Sequence, residues 1–123
     1  LRLQAERELR GKLLQLREGM LVAAEDQADI GRLLLLAAPS FVTYLRAALR
    51  LAGRAVSNDS LEVIEAGARL VGGEPDAFRT VWEARRRGEP IRARVDDPLV
   101  AGFYALAERT AEYVDMLSED NEP

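Results

Sequence analysis

A stripe of apolar residues near the start of the chain predicts the first helix. The stripe recurs at spacings of four, three and four residues, with charged residues in between, and consists of Leu9, Leu13, Leu16 and Met20. Because an α-helix makes one turn every 3.6 residues, this spacing places the stripe on one face. The pattern predicts an amphipathic helix over roughly residues 3–23.

Two further helices are predicted on either side of a proline. Asp26 is a suitable N-cap for the second helix, and Pro39 ends that helix because the residue before a proline is pushed out of helical geometry. Ser40 then occupies an N-cap position, and Gly53 supplies the stop of the third helix. The chain is therefore predicted to break at Pro39.

Three more helices are predicted in the C-terminal part of the chain. Each begins at a capping residue or a first-turn proline, and the first two of them end at glycine. The intervening residues 88–96 are predicted to form a charged loop. The three helices are predicted to run from Asp59 to the Gly72-Gly73 pair, from Pro75 to near Gly88, and from the Asp97-Pro98 pair onward.

These elements together predict the fold class. No stretch alternates apolar and polar residues with β-branched enrichment, so no sheet is expected. Six amphipathic helices with short links predict an all-α domain, a mostly antiparallel bundle with long first and last helices. The length of 123 residues fits a single domain. Leu1 falls inside an amphipathic pattern with no cap before it, so we expect the chain to be a fragment of a longer protein.

The net charge and the hydropathy of the chain argue against two classes of partner, nucleic acids and membranes. The net charge is −4 with a pI of about 5.0, which argues against general nucleic-acid binding because phosphate neutralisation needs a dense basic surface. The longest apolar run, Leu33 to Pro39, is far shorter than the ~20 residues of a bilayer span. We therefore expect no membrane partner, and the cytoplasm is the default location.

The residue types that most enzymes use are missing. The chain contains no histidine and no cysteine, which excludes Ser-His and Cys-His catalysis, zinc sites and two-histidine metal sites. Acidic pairs such as Glu62 and Glu65 share a helix face, but a solvated face is the favoured interpretation of such pairs. We therefore predict no catalytic residue, no metal and no cofactor, and a stand-alone enzyme that uses carboxylates is the least favoured hypothesis.

Two pairs of arginines are the candidate contacts to a ligand or a partner. Arg46 and Arg50 are one helical turn apart, so their guanidinium groups could converge on one phosphate or carboxylate cluster. The alternative is that they pair with Glu62 or Glu65 inside the domain. Arg85 and Arg86 are the second pair, although their place at a helix C-terminus is also explained by the helix dipole.

A glycine pair and three aromatic residues could also bind a ligand, but each has a structural interpretation that is favoured. The Gly72-Gly73 pair could cradle a phosphate, but the frame of a phosphate-binding loop is missing, so a helix C-cap is favoured. Trp82, Phe78 and Tyr44 could stack a nucleic-acid base, but aromatic residues at helical spacing favour a core position. Trp82 is accordingly predicted to be a core anchor.

Three segments carry a resemblance to a known family. They are LRLQAERELRGKLLQLR (residues 1–17), FVTYLRAALRLAG (residues 41–53) and FRTVWEAR (residues 78–85). They resemble the helical C-terminal region of bacterial proteins that begin with a minimal nucleotidyltransferase domain of the DNA polymerase β superfamily. In that family the catalytic Gly-Ser motif and paired aspartates belong to an upstream domain, and this chain contains neither. Helical nucleases that accompany such proteins are excluded as relatives, because they use a histidine.

The resemblance implies a non-catalytic helical bundle that packs beside an upstream nucleotidyltransferase domain in the same parent chain and helps to shape its acceptor site. The general-base glutamate that some relatives contribute cannot be assigned to any glutamate here. The alternative function is a helical protein–protein interaction or oligomerisation domain. Apolar stripes on the first and last helices would then form a heptad-like seam in a possible homodimer.

Overall fold

The computed structural model describes the backbone of residues 2–120 and the side chains of residues 7–117. Within this part of the chain the fold is all-α, as predicted, and no residue forms a strand. It contains five helices, in chain order α1 (Arg2–Val22), α2 (Gln27–Leu51), α3 (Ser60–Val71), α4 (Asp76–Arg87) and α5 (Pro98–Asp120). The first and last helices are long, as expected, but α2 is the longest.

The predicted break at Pro39 is wrong, because α2 continues through this residue. Ser40 is therefore an interior helical residue and not an N-cap. A proline inside a helix removes one backbone hydrogen bond and crowds the preceding turn. The Thr43 hydroxyl donates to the Pro39 carbonyl oxygen at 3.0 Å, which adds a side-chain hydrogen bond to the turn that follows the proline. The six predicted helices are consequently five.

An unbroken apolar stripe explains why the helix continues. Its buried members are spaced by three or four residues on both sides of the proline: Ile30, Leu34, Ala38, Phe41, Leu45 and Ala48. A break at Pro39 would rotate the second half of the stripe away from the core that the first half faces. Burial of these side chains outweighs the local cost of the proline, since each large apolar side chain contributes roughly 1.5–3 kcal/mol when buried.

Helix α2 lies at the centre of the fold and contacts each of the other four helices. Its Phe41 ring meets Phe103 of α5 edge to face, with ring centroids 5.9 Å apart. Phe78 of α4 packs against Phe103 with centroids 4.5 Å apart. The stripe of α1 is buried as predicted, with Leu9, Leu13, Leu16 and Met20 each no more than 6% exposed.

The helix boundaries away from Pro39 follow the predicted capping residues. The Asp26 side chain accepts hydrogen bonds from the backbone N–H groups of Ala28 and Asp29 at the start of α2. Asp59 caps α3 in the same way, through Leu61. Gly72 adopts the left-handed conformation at the C-cap of α3, with φ of 79°. The C-cap interpretation of the glycine pair is therefore confirmed.

The segment between α4 and α5 is more than the charged loop that the sequence predicts. It runs across the N-terminal half of α2, where the Ala93 backbone N–H donates to the Gln27 carbonyl oxygen at 3.1 Å. Ala93 is buried. At Gly31 the backbone of α2 and the backbone of this segment approach so closely that an added Cβ would overlap the Ile91 carbonyl oxygen. Glycine is required there by backbone proximity.

By length and composition alone, α2 could also cross a bilayer: it has 25 residues, and an 18-residue window within it has a mean hydropathy of 1.3. The sequence did not predict a helix of this length, because the residues before and after Pro39 were interpreted as two separate helices. In the fold, ten residues of α2 are buried against the surrounding helices. A helix at the centre of a bundle is expected to be apolar around most of its circumference, and we interpret α2 as a core helix.

Candidate functional site

Arg46 of α2 is directed into the junction between α2 and α3. One terminal nitrogen donates to the Ser57 carbonyl oxygen at 2.6 Å, and the other donates to the Ser60 hydroxyl oxygen at 3.1 Å. Both bonds are partly buried. This arginine fastens the connection that precedes α3, so two of its donors are already used by the protein itself. Its proposed role as a ligand contact stays a prediction.

Arg50 has a different environment, although it is only one turn further along α2. Its side chain is exposed and has no hydrogen-bond or ion-pair partner among residues 7–117. The alternative of pairing with the acids of α3 is not what the structure shows. Glu62 accepts a hydrogen bond from the Ser57 hydroxyl at 2.5 Å, and Glu65 forms an ion pair with Arg79.

The other two candidate arginines lie elsewhere on the surface. Arg85 lines a recess together with Leu35 and Leu36 of α2. These leucines precede Arg50 by about fourteen residues, or roughly 20 Å of helix at 1.5 Å per residue. Arg86 is exposed and lines none of the recesses described here. The two arginine pairs are therefore not parts of one site, and their ligand contacts stay predictions.

Two observations on the described side chains concern acid–base and metal chemistry. Between residues 7 and 117, no group of three or more acidic residues is arranged to hold a metal ion. The pKa of the Tyr44 hydroxyl is raised, first because the residue is buried and second because of the nearby Glu8 carboxylate. A tyrosine with a raised pKa stays protonated at neutral pH, so it is a poor base or nucleophile there.

An exposed apolar surface lies between α1 and α2. Two adjoining recesses of about 170 and 430 Å³ share Gln15, Leu33 and Leu36 in their linings, and we call them together the α1–α2 groove. Leu36 is 70% exposed at this groove, and Val22 at its end is 89% exposed. Large apolar side chains that are this exposed and adjacent are typical of surfaces that meet another protein.

A glycine on α1 allows the two helices to approach at the groove. A Cβ at Gly19 would lie 3.1 Å from a methyl group of Leu33, which is tighter than ordinary contact. The absence of a side chain at Gly19 makes room for the Leu33 side chain, while Leu36 remains exposed between the adjoining recesses. Leu36 could not be singled out from the sequence, because the second predicted helix is apolar on nearly every side.

A second recess combines apolar and cationic residues between the C-terminal end of α2 and helix α3. We call it the α2–α3 recess; its volume is about 430 Å³, and it is lined by Leu49, Arg54, Ala55, Ala66, Arg69 and Leu70. The sequence places Arg54 on the same predicted basic ridge as Arg46 and Arg50, where a phosphate or carboxylates could sit, but it does not single out Arg69. The available signal was the one-turn spacing between Arg50 and Arg54, but Arg69 is distant in sequence and only the fold brings it to the recess.

In comparisons with known proteins, no family model matches the chain, and no curated protein or solved structure is significantly similar to it.

Proposed function

We propose that this chain is a non-catalytic helical accessory domain that docks against a neighbouring protein domain through the α1–α2 groove. Following the resemblance carried by residues 1–17, 41–53 and 78–85, the neighbour is an upstream nucleotidyltransferase domain of the same parent chain. The proposal assumes a mostly antiparallel bundle, which short connections favour, acting in the cytoplasm. The accessory domain would support the acceptor side of the catalytic site and contribute no catalytic group of its own.

The observation that carries the proposal is the exposure of Leu36. A leucine that is 70% exposed keeps most of its apolar surface in water, and covering it would recover about 25 cal/mol for each Å². Leu36 is also shared by three recesses, the two of the groove and the one beside Arg85. Leu36 therefore joins the adjoining depressions into one continuous apolar surface that a partner could cover.

The neighbouring residues favour a domain interface over a small-molecule site. The groove is rimmed by both signs of charge, Lys12 and Arg32 on one hand and Glu18 and Asp29 on the other. An apolar centre with a mixed polar rim is the usual anatomy of protein–protein interfaces. One wall of the groove is α1, which carries the first segment of the family resemblance.

The test is a binding measurement between this chain and the upstream nucleotidyltransferase domain, produced as separate polypeptides. We expect Leu36→Glu to abolish or strongly weaken the association, because a carboxylate would be placed at the apolar centre. Leu14→Glu is the matched control, since Leu14 is also exposed, at 57%, but lines none of the recesses. Equal affinities of the two variants, with both chains folded, would refute the proposal.

Self-association is the second candidate function, and the same exposed leucine favours it. The stripes predicted to form a homodimer seam are occupied inside the domain, because α1 and α5 pack against each other and α2. A dimer would therefore use the α1–α2 groove. Sedimentation of the chain alone separates the candidates: a dimer that Leu36→Glu converts into a monomer supports self-association, and a monomer at all concentrations supports docking of another domain.

A further inference from the structure

Among the recesses described here, only the α2–α3 recess is lined by two cations and no anion. Its two charged lining residues, Arg54 and Arg69, are both cations, and no carboxylate lines it. Neither guanidinium group has a hydrogen-bond or ion-pair partner within residues 7–117. By contrast, Arg10, Arg32 and Arg79 each form an ion pair with a nearby acid.

The acids that could neutralise the recess are engaged elsewhere. Glu65 lies one turn before Arg69 on α3, the spacing at which helical ion pairs form, but it is paired with Arg79 of α4. Glu62 accepts a hydrogen bond from Ser57, and Asp59 is occupied in capping α3. The two arginines therefore present unused donors to whatever enters the recess.

Local structure fixes the backbone at both arginines, whose side chains are exposed. Gly53 adopts a left-handed conformation, with φ of 73°, and this turn lets the Arg54 backbone N–H donate to the Leu49 carbonyl oxygen at 2.9 Å. Arg69 lies in the last turn of α3. The partial negative charge at a helix C-terminus stabilises a cation there. The helix C-terminus thus favours a cation at the edge of the recess.

The remaining lining is apolar and small. Leu49 is buried, Leu70 is half-buried, and the alanines at positions 55 and 66 leave space above them. A volume of about 430 Å³ is within the range of small-molecule sites. A bare inorganic ion would contact the arginines but leave the leucine and alanine surface uncovered.

From this arrangement we propose that the α2–α3 recess binds a small organic anion. Arg54 and Arg69 hold its phosphate or carboxylate group through charge-assisted hydrogen bonds, which the planar guanidinium can form in pairs. The apolar body of the ligand contacts Leu70 and the side chains of Ala55 and Ala66, with the buried Leu49 beneath them. This site is separate from the α1–α2 groove, and the inference does not rest on the docking function.

The test uses four probes and follows backbone amide shifts by NMR titration of the chain. Phenyl phosphate and benzoate carry both an anion and an apolar body, inorganic phosphate carries the charge alone, and benzyl alcohol carries the body alone. We expect phenyl phosphate, benzoate or both to bind at least tenfold more tightly than the other two probes. The shifts should centre on Leu49, Arg54, Ala66 and Arg69, and whichever of the two anions binds better identifies the head group.

Variants separate a built site from general attraction of anions. Arg54→Gln and Arg69→Gln should each weaken binding roughly tenfold, the usual effect of losing a charged hydrogen bond. Arg86→Gln is the matched control, because Arg86 is exposed and unpaired in the described part of the chain but lines none of the recesses. Ala66→Leu keeps both charges and fills the recess, and it should weaken phenyl phosphate more than inorganic phosphate.

Either of two results would overturn the inference. One is the absence of saturable binding by both phenyl phosphate and benzoate. The other is that Arg86→Gln weakens binding as much as Arg69→Gln while Ala66→Leu has no effect, which would mean that the arginines attract anions only through the net positive potential of the surface.

Discussion

The two halves of α2 are held in the fold by different means. In the N-terminal half, backbone meets backbone: Gly31 lies against the Ile91 carbonyl group, and Ala93 donates to Gln27. In the C-terminal half, large side chains fill the interior, with Phe41 against Phe78 and Phe103 at centroid distances of 6.3 and 5.9 Å. The contact at Gly31 leaves no room for an added side-chain atom. The aromatic cluster is instead stabilised by the atoms of its large side chains, so removing them should destabilise the fold.

The surfaces of the two halves differ as well. The N-terminal half exposes Leu36 at the α1–α2 groove, and the C-terminal half leads into the arginines of the α2–α3 recess. One continuous helix therefore presents an apolar surface at one end and a cationic surface at the other. Since both surfaces depend on the same helix, its continuity through Pro39 fixes their separation and relative rotation.

The largest effect is expected from emptying the aromatic cluster. Phe41→Ala should lower the free energy of unfolding by about 3–5 kcal/mol, because it removes a ring that is 1% exposed and leaves a cavity. Trp82→Ala should cost less, since Trp82 packs against the core but is only half-buried. Urea denaturation followed by circular dichroism measures both. A larger loss for Trp82→Ala would show that the aromatic cluster is not the main anchor of this half.

The backbone contact of the other half is tested by adding one carbon atom. Gly31→Ala should destabilise the fold by about 3 kcal/mol, at the upper end of overpacking costs, because the Cβ meets a backbone carbonyl group and not a flexible side chain. Gly11→Ala is the control: Gly11 lies in α1 with nothing near its Cβ position, and the same change should stabilise by about 0.5–1 kcal/mol. Thermal unfolding of the two variants should shift in opposite directions, and shifts of the same sign would contradict the close approach at Ile91.

The smallest effect distinguishes the two neighbouring arginines at the end of α2. Arg46→Gln should cost about 1–2 kcal/mol, because it removes two partly buried hydrogen bonds to Ser57 and Ser60. Arg50→Gln should leave stability within about 0.5 kcal/mol of the unchanged chain, as is usual for exposed positions. Chemical denaturation resolves this difference. If both variants unfold at the same denaturant concentration, the Arg46 contacts contribute nothing to the fold.

Apolar spacing and capping chemistry determined most of the local structure. The burial of the Leu9 to Met20 stripe, the caps at Asp26 and Asp59, and the left-handed Gly72 all follow from residues within one or two helical turns of each other. Such short-range patterns are encoded by helical periodicity and by the hydrogen bonds that helix ends leave unsatisfied. The all-α class was predictable for the same reason.

The tertiary structure decided the features that join distant residues. Pro39 lies inside a helix because both sides of α2 bury one continuous stripe, a gain that the local preference of the preceding residue does not include. Glu65 forms an ion pair with Arg79 of α4 and not with Arg69, which is closer in sequence, because packing places α4 beside α3. Arg69 reaches the recess of Arg54, and Ile91 reaches Gly31, only after the helices assemble. The candidate surfaces therefore follow from packing, which spacing along the chain does not specify.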